Sequence, residues 1–294
     1  MQPIIECNHI THYYGERLIY QDINFQVEKG KILGLLGKNG TGKTTIINIL
    51  TGYLKPRSGN CKIFGESMQN MSTKNISRIG LLLEGHIQHD FFNIHQIEKY
   101  YAPFFPNWKS EAYWNLIQHL KVGAKQKIST MSCGQRSQVA LGLLLAQDPE
   151  LLILDDFSMG LDPGYRRLFV EYLKDYAQQE DKTIFLTSHI IQDMEYLIDD
   201  CMIMDYGRLL LHKPTKEIME GFKRYKLPKE LPLSLFSSEA FYSTEKRRDH
   251  IETYSFLNKE ELAQILQHKI GNTPIIEEDK LSLEDAFIGL TGKY

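Results

Sequence analysis

Up to Phe64 the chain alternates short β-like apolar runs with reversals. The runs are Ile4–Cys7, Ile23–Val27, Ile32–Leu36 and Cys61–Phe64. Between them stand Tyr14-Gly15-Glu16, Glu28-Lys29-Gly30 and Pro56-Arg57-Ser58-Gly59, all turn chemistry. Before the last run, Thr44–Leu50 sets Ile46, Ile47, Ile49 and Leu50 at helical spacing. From Ile94 to Leu120 the pattern is helical, with breaks at Pro103 and Pro106. Gln135–Gln147 is apolar on more than one face, which predicts a buried helix. Leu151–Leu154 is wholly apolar and ends in two aspartates, as a central parallel strand covered on both faces would. A helix over Tyr165–Glu180, a strand over Thr183–Thr187 and a helix near Ile191–Leu197 follow. Strands alternating with helices predict a parallel α/β sheet that takes ligands at the carboxyl ends of its strands.

The pattern weakens near Gly221. Lys223-Arg224-Tyr225-Lys226-Leu227-Pro228 reads as a linker, and the rest holds weak strands and one clear helix, Lys259–His268. The expected division is a main domain over 1–222 and an accessory region over 223–294.

Composition narrows the class. An apolar fraction of 42% with 24% charged residues excludes wholesale disorder. With 34 basic and 37 acidic residues the net charge is 34 − 37 = −3, which gives no electrostatic case for a nucleic-acid partner. The longest apolar run, Val139–Ala146, contains Gly142 and falls far short of the ~20 residues of a membrane span. Met1–Glu6 shows no basic lead or apolar core, so no secretory signal is expected. Cys7, Cys61, Cys133 and Cys201 lie far apart, against a disulfide framework or zinc knot. A reduced, cytosolic protein is expected.

The chemistry concentrates at Gly37-Lys38-Asn39-Gly40-Thr41-Gly42-Lys43-Thr44, which fits the phosphate loop G-x-x-x-x-G-K-[ST] between a strand and a helix. Glycines let backbone N–H groups turn inward around phosphate oxygens, and the helix start adds its own free N–H groups. In such a loop Lys43 reaches the β- and γ-phosphates and the Thr44 hydroxyl meets Mg²⁺. Asp155, at the end of the Leu151–Leu154 run, is the expected acid behind the metal. Together these residues define a nucleoside-triphosphate site without separating a transporter ATPase from a kinase or a GTPase.

Further motifs make that separation. Tyr14 precedes Gly15; Met131-Ser132-Cys133-Gly134-Gln135 stands just before a helix; Gly160-Leu161-Asp162-Pro163 follows the aspartates; Thr187-Ser188-His189 ends a strand. Over Ile4–Gly221 the chain resembles the nucleotide-binding subunit of an ATP-binding cassette (ABC) transporter, with six motifs in the family's order. The resemblance implies a P-loop NTPase α/β core with an antiparallel β subdomain, a helical subdomain at about 85–145, and here a small C-terminal α+β appendage. It implies ATP and Mg²⁺ as ligands: Tyr14 on adenine, and Gly37, Asn39, Gly40, Thr41, Gly42, Lys43, Thr44 and Thr45 around the phosphates. It places Thr44, Asp155 and Glu84 on the metal. Asp156, Glu84 and His189 take the catalytic positions, where the acid orients the attacking water and the histidine holds the γ-phosphate. In such a pair the two subunits sit head to tail, with Ser132, Gly134, Gln135 and Asp162 closing on the ATP of the other protomer. The implied partners are a second copy or a homologous ATPase subunit and a membrane permease on a separate chain, the only contact with the membrane. The implied place is the inner face of the cell membrane.

Three departures fall in the chemistry. Asp156 stands where the family carries glutamate. One methylene fewer sets the carboxylate ~1.5 Å back, and misplacement on the order of 1 Å can cost ~10²-fold in rate, so hydrolysis is expected to be slow but not absent. Glu84 replaces a glutamine, and Cys133 replaces the first signature glycine. Phe157 stands where the family usually has proline, with no functional account.

The remaining features admit plainer readings. His86, His89 and His95 lack the spacing of a metal site. Tyr100, Tyr101, Phe104, Phe105, Trp108, Tyr113 and Trp114 read as the core of a helical subdomain, or in part as a face that docks a permease helix. Lys246-Arg247-Arg248 reads as a solvated patch. Ser282–Phe287 is similar to the closing segment of exporter ATPases with separate permease chains. The rival to a transport ATPase is an ATP-gated clamp or regulatory module with slow hydrolysis; a small-molecule kinase or a GTPase leaves the signature segment unexplained.

Overall fold

The computed structural model describes residues 3–83, 89–120, 122–158, 160–180 and 182–292. Two compact units divide the chain, 1–209 and 210–294. The first opens with a long hairpin, β1 (Pro3–Tyr14) and β2 (Arg17–Glu28), whose register pairs Tyr14 with Arg17 across the Gly15-Glu16 turn. Next come β3 (Ile32–Gly37), α1 (Lys43–Leu50), β4 (Ser58–Ile63), β5 (Glu66–Ser67), α2 (Thr73–Ile76) and β6 (Ile79–Leu82). The predicted helical stretch resolves into α3 (Ile94–Tyr101) and α4 (Ser110–Ile117), parted at Pro103 and Pro106 as expected of residues lacking an amide N–H. The buried helix is α5 (Cys133–Ala146). After it follow β7 (Leu151–Leu154), α6 (Pro163–Glu180), β8 (Thr183–Thr187), α7 (Ile191–Leu197) and β9 (Asp200–Asp205). Then β10 (Arg208–Pro214) runs on into the second unit.

Two sheets result. The antiparallel one has the order β2-β1-β4-β5, and the parallel one contains β9-β3-β8-β7-β6. Leu33, Leu35, Leu151, Ile153, Phe185, Met202 and Met204 join one core with Ile5, Phe25 and Val27 of the hairpin and Ile46, Ile47, Ile49 and Leu50 of α1. On the other face of the parallel sheet, Gly34 lies against Met194 and Ile198, and Gly80 against Leu144, so α7 and α5 press close to the strands. All four residues of β7 are fully buried, and at roughly 1.5–3 kcal/mol per buried aliphatic side chain this strand anchors both faces. Its C-terminal end is thereby fixed in place, and with it the two aspartates that follow.

Phe157 finds its explanation here. It is buried and stacked on Phe169 of α6, ring centroids 5.2 Å apart, so it fills the core beneath the aspartates.

The second unit contains α8 (Thr215–Gly221), β11 (Lys223–Pro228), β12 (Tyr242–Lys246), β13 (His250–Ser255), α9 (Lys259–Ile270), β14 (Glu277–Asp279) and α10 (Leu283–Thr291). Its sheet runs β12-β13-β11-β14. The segment expected to be a linker is therefore a central strand. Its basic residues alternate with Tyr225 and Leu227, which join Leu262 and Leu266 of α9 in the core, while Arg224 and Lys226 pair with Asp279 of β14 at 3.1 and 2.9 Å. Charged residues on the outward positions mask the period of two that marks this segment as a strand. On the opposite face Tyr254 packs against Phe222 and Gly289 of α10. Lys246 and Arg248 are exposed, and Arg247 between them is ion-paired to Glu252 at 2.7 Å.

Candidate functional site

The phosphate loop joins β3 to α1. Gly42 has φ +101°, and a Cβ there would stand 2.7 Å from Ile19 Cγ2, so both the backbone and the space require glycine. With Gly42 at the N-cap, α1 starts without a side-chain cap. Its first N–H groups thus have no intrahelical or capping partner and face outward as an anion site. Thr41 is buried, its hydroxyl donating to the Lys38 carbonyl at 2.8 Å and bracing the loop. Lys43 donates to the carbonyls of Gly37 at 2.7 Å and Lys38 at 3.1 Å. Burial lowers its pKa from the usual lysine value, against the opposing pull of Asp156 and Asp155. A cation held by carbonyls rather than by a carboxylate fits a polyanionic guest.

The ends of β7 and β8 supply the acids. The Thr187 hydroxyl donates to Asp155 Oδ1 at 2.8 Å and accepts from the Asp156 amide at 2.9 Å, so one side chain sets both aspartates. Asp156 sits in the left-handed region, φ +47°. Its Oδ1 accepts from the His189 amide at 3.2 Å, and His189 Nε2 lies 2.9 Å from its Oδ2. The Ser158 and Ser188 hydroxyls, 2.8 Å apart, tie the two strand ends together.

These groups converge on a cavity of about 330 Å³. It is lined by Tyr14, Arg17, Ile19, Asn39, Gly40, Gly42, Lys43, Thr44, Thr45, Asp155, Asp156, Thr187, Ser188 and His189. Tyr14 is half-exposed at its rim, edge-on to His12 with centroids 5.0 Å apart. Thr44 and Asp155 bring two oxygen donors to the same cavity, a set suited to a hard divalent cation. Thr187 and Arg17 were missed by sequence reasoning. Thr187 had a signal, its place at the end of an apolar strand; Arg17 had only its place across the turn from Tyr14.

The other residues expected at nucleotide lie elsewhere. Ser132, Gly134, Gln135 and Asp162 do not line this cavity. Ser132 caps α5 by accepting from the Gln135 amide at 3.2 Å, while Gln135 Oε1 accepts from the Ser132 amide at 3.0 Å. Gly134 is buried, and a Cβ on it would come 2.5 Å from the Tyr165 ring. Asp162 accepts from the amides of Gly164 and Tyr165 at the start of α6. Gly37 and Thr41 support the loop from below. Glu84 and His86 lie outside the described residues. His89 packs among Phe91, Phe92, Tyr100 and Tyr101, and His95 against Trp114. Of the aromatic stretch Tyr113 is core, while Phe104 is 67% exposed.

Comparison with known proteins agrees with this geometry. A family model described as ABC transporter matches residues 20–158. The chain is 31% identical over 229 residues to the bacitracin transport ATP-binding protein BcrA of Bacillus licheniformis, covering 76% of this chain and 74% of that one. Over 299 residues it is 27% identical to the uncharacterized ABC transporter ATP-binding protein YhcH of Bacillus subtilis (strain 168), covering 100% of this chain and 97% of that one. Among solved structures, an ATP-binding subunit of an ABC transporter superposes with a TM-score of 0.65 at 21% identity, over 74% of this chain and 92% of the other.

Proposed function

The chain belongs to the ATP-binding proteins of ABC transporters, and from that premise we propose that it binds Mg²⁺-ATP in the cavity above Lys43 and hydrolyses it slowly to drive a permease carried on another chain. The observation that carries this reading is the convergence on one cavity of Lys43, the uncapped start of α1, Asp155, Asp156 and His189. Lys43 and the α1 amides bind the phosphate oxygens, with Gly37, Asn39, Gly40, Thr41, Gly42 and Thr45 shaping or lining the cradle. Tyr14 stacks on the base. Thr44 and Asp155 would hold Mg²⁺, which would supply charge neutralisation on the phosphate oxygens. Glu84 is the third candidate for the metal and the attacking water, on sequence grounds alone. Asp156 orients the water, and His189, in contact with it at 2.9 Å, fixes the carboxylate. That carboxylate is one methylene short of the family's reach, which is why turnover is slow.

In a head-to-tail pair, Ser132, Gly134, Gln135 and Asp162 of one protomer would cover the nucleotide of the other. Export is the proposed direction, since relatives include a Nod factor export ATP-binding protein of Cupriavidus metallidurans. The permease would meet the exposed aromatics Phe91, Tyr100 and Phe104, holding the chain at the inner face of the membrane. Among the described residues no helix is long and apolar enough to cross a membrane. The short acid at Asp156 favours one second reading, an ATP-gated clamp whose closure is the output.

Turnover of purified Asp156→Asn and Asp156→Glu tests the mechanism. Asp156→Asn is expected to lose about 10²-fold, the low end of what a positioned acid or base contributes, and Asp156→Glu to exceed the parent. An Asp156→Asn variant as fast as the parent removes Asp156 from the mechanism. Co-isolation with a polytopic membrane protein separates transporter from clamp.

A further inference from the structure

We infer that Arg17 is a phosphate-binding residue of this site, a second cation that grips the triphosphate together with Lys43. The inference rests on the reading of the cavity as an ATP site and adds to it a residue outside the phosphate loop. Three observations carry it. First, Arg17 lines the same cavity as Lys43, Asp155 and His189. Secondly, its Nη2 lies 3.6 Å from where a Cβ on Gly40 would stand, so the guanidinium reaches over the phosphate loop. Thirdly, Arg17 is directly opposite Tyr14 in the β1–β2 register, and residues opposite each other on an antiparallel pair present their side chains on one face. The hairpin tip therefore delivers an aromatic ring and a guanidinium to the cavity together.

The chemistry favours phosphate over any other part of a nucleotide. Guanidinium offers five donors in a planar fork and no acceptor, a match for phosphate oxygens. Asp155 and Asp156 also line the cavity but are engaged by Thr187 and by the amide and ring of His189. Placed at the tip of a two-residue turn, Arg17 would also report nucleotide to the hairpin. With a guest bound, the β1–β2 tip is tied to the phosphate loop by a charge-assisted contact that the empty cavity lacks.

Binding of Mg²⁺-ATP and of inorganic tripolyphosphate, which has no base, tests this in the full chain. Titration of the parent, Arg17→Gln, Arg17→Lys and Tyr14→Ala by calorimetry separates the contributions. Arg17→Gln is expected to weaken both ligands by about tenfold, the scale of one hydrogen bond to a charged group. It should also lower the salt dependence of binding, while Arg17→Lys retains part of both. Tyr14→Ala is expected to weaken ATP alone. If Arg17→Gln weakens ATP but leaves tripolyphosphate unchanged, Arg17 meets the base and the inference fails. If it changes neither while the parent binds ATP, the inference fails and the site stands. A parent that binds neither ligand overturns the site and this inference with it. Because Arg17 is exposed at a hairpin tip, an unchanged far-ultraviolet circular dichroism spectrum is expected for every Arg17 variant.

Discussion

The cavity above Lys43 and the Ser132–Gln135 segment both carry sequence motifs, yet they are built in opposite ways. At the cavity four separate stretches of chain converge, and the central cation rests on the carbonyls of Gly37 and Lys38 in place of a counter-charge. At the signature segment the polar groups are partnered within three residues. Ser132 and Gln135 cap each other, and Asp162 is taken by Gly164 and Tyr165. The first region is an open cavity lined by ionisable groups; the second has its polar groups satisfied locally, and under the proposed function it acts on the nucleotide of another protomer. Nucleotide affinity should therefore reside in the first region and turnover in both.

The largest expected effect separates them. Lys43→Ala should lower Mg²⁺-ATP affinity at least about 10²-fold, since it strips the cavity of its central cation and the charged contacts it makes, each worth roughly 1.5–3 kcal/mol. Ser132→Ala should leave the calorimetric ATP affinity of dilute, monomeric protein near that of the parent while lowering turnover. Equal losses of affinity in both variants would erase the distinction.

A smaller effect concerns Gly134. The family resemblance assigns this glycine to close approach of the partner's phosphate, whereas its Cβ position here lies 2.5 Å from the Tyr165 ring. Gly134→Ala should therefore destabilise the isolated protomer by about 1–3 kcal/mol, the range for overpacking a filled core. Thermal unfolding measures this, and Tyr165→Leu in the same chain should restore most of the loss. A double variant as unstable as the single one would return Gly134 to a role in binding alone.

What the chain made legible follows from range. The phosphate loop is a local motif whose eight residues form one turn and one helix start, so its geometry could be read from Gly37 to Thr44 directly. Leu151–Leu154 and its aspartates were legible because full burial leaves an uninterrupted apolar run. The convergence of Thr187 on both aspartates was not, since it depends on β7 and β8 being neighbours in the sheet, a pairing between residues 31 and 32 apart. Arg17 was hidden for a similar reason: only the hairpin register puts it opposite Tyr14. The strand at Lys223–Pro228 was misread because its outward residues are charged, and their partner, Asp279, is distant in sequence.

The smallest effect lies beneath the rim of the cavity and tests how far its stability is tied to apolar packing. His12 is only 6% exposed, neither ring nitrogen has a hydrogen-bond partner, and the ring stands edge-on to Tyr14. Burial disfavours the charged imidazolium and holds its pKa below the ordinary histidine value. The unfolded chain takes up that proton near pH ~6.5, whereas the folded chain resists it. The stability this neutral ring contributes is thus fully present above ~6.5 and declines as the pH falls below it. His12→Phe keeps an aromatic ring under Tyr14 and removes the titration. Its melting temperature should match the parent's to within a few degrees at neutral pH, and it should fall less steeply than the parent's on acidification from neutral to mildly acidic buffer. Parallel curves for the two proteins across that window would mean that His12 is solvated or finds a partner on protonation. The hairpin tip that presents Tyr14 and Arg17 would then rest on a polar, adaptable support rather than a dry one.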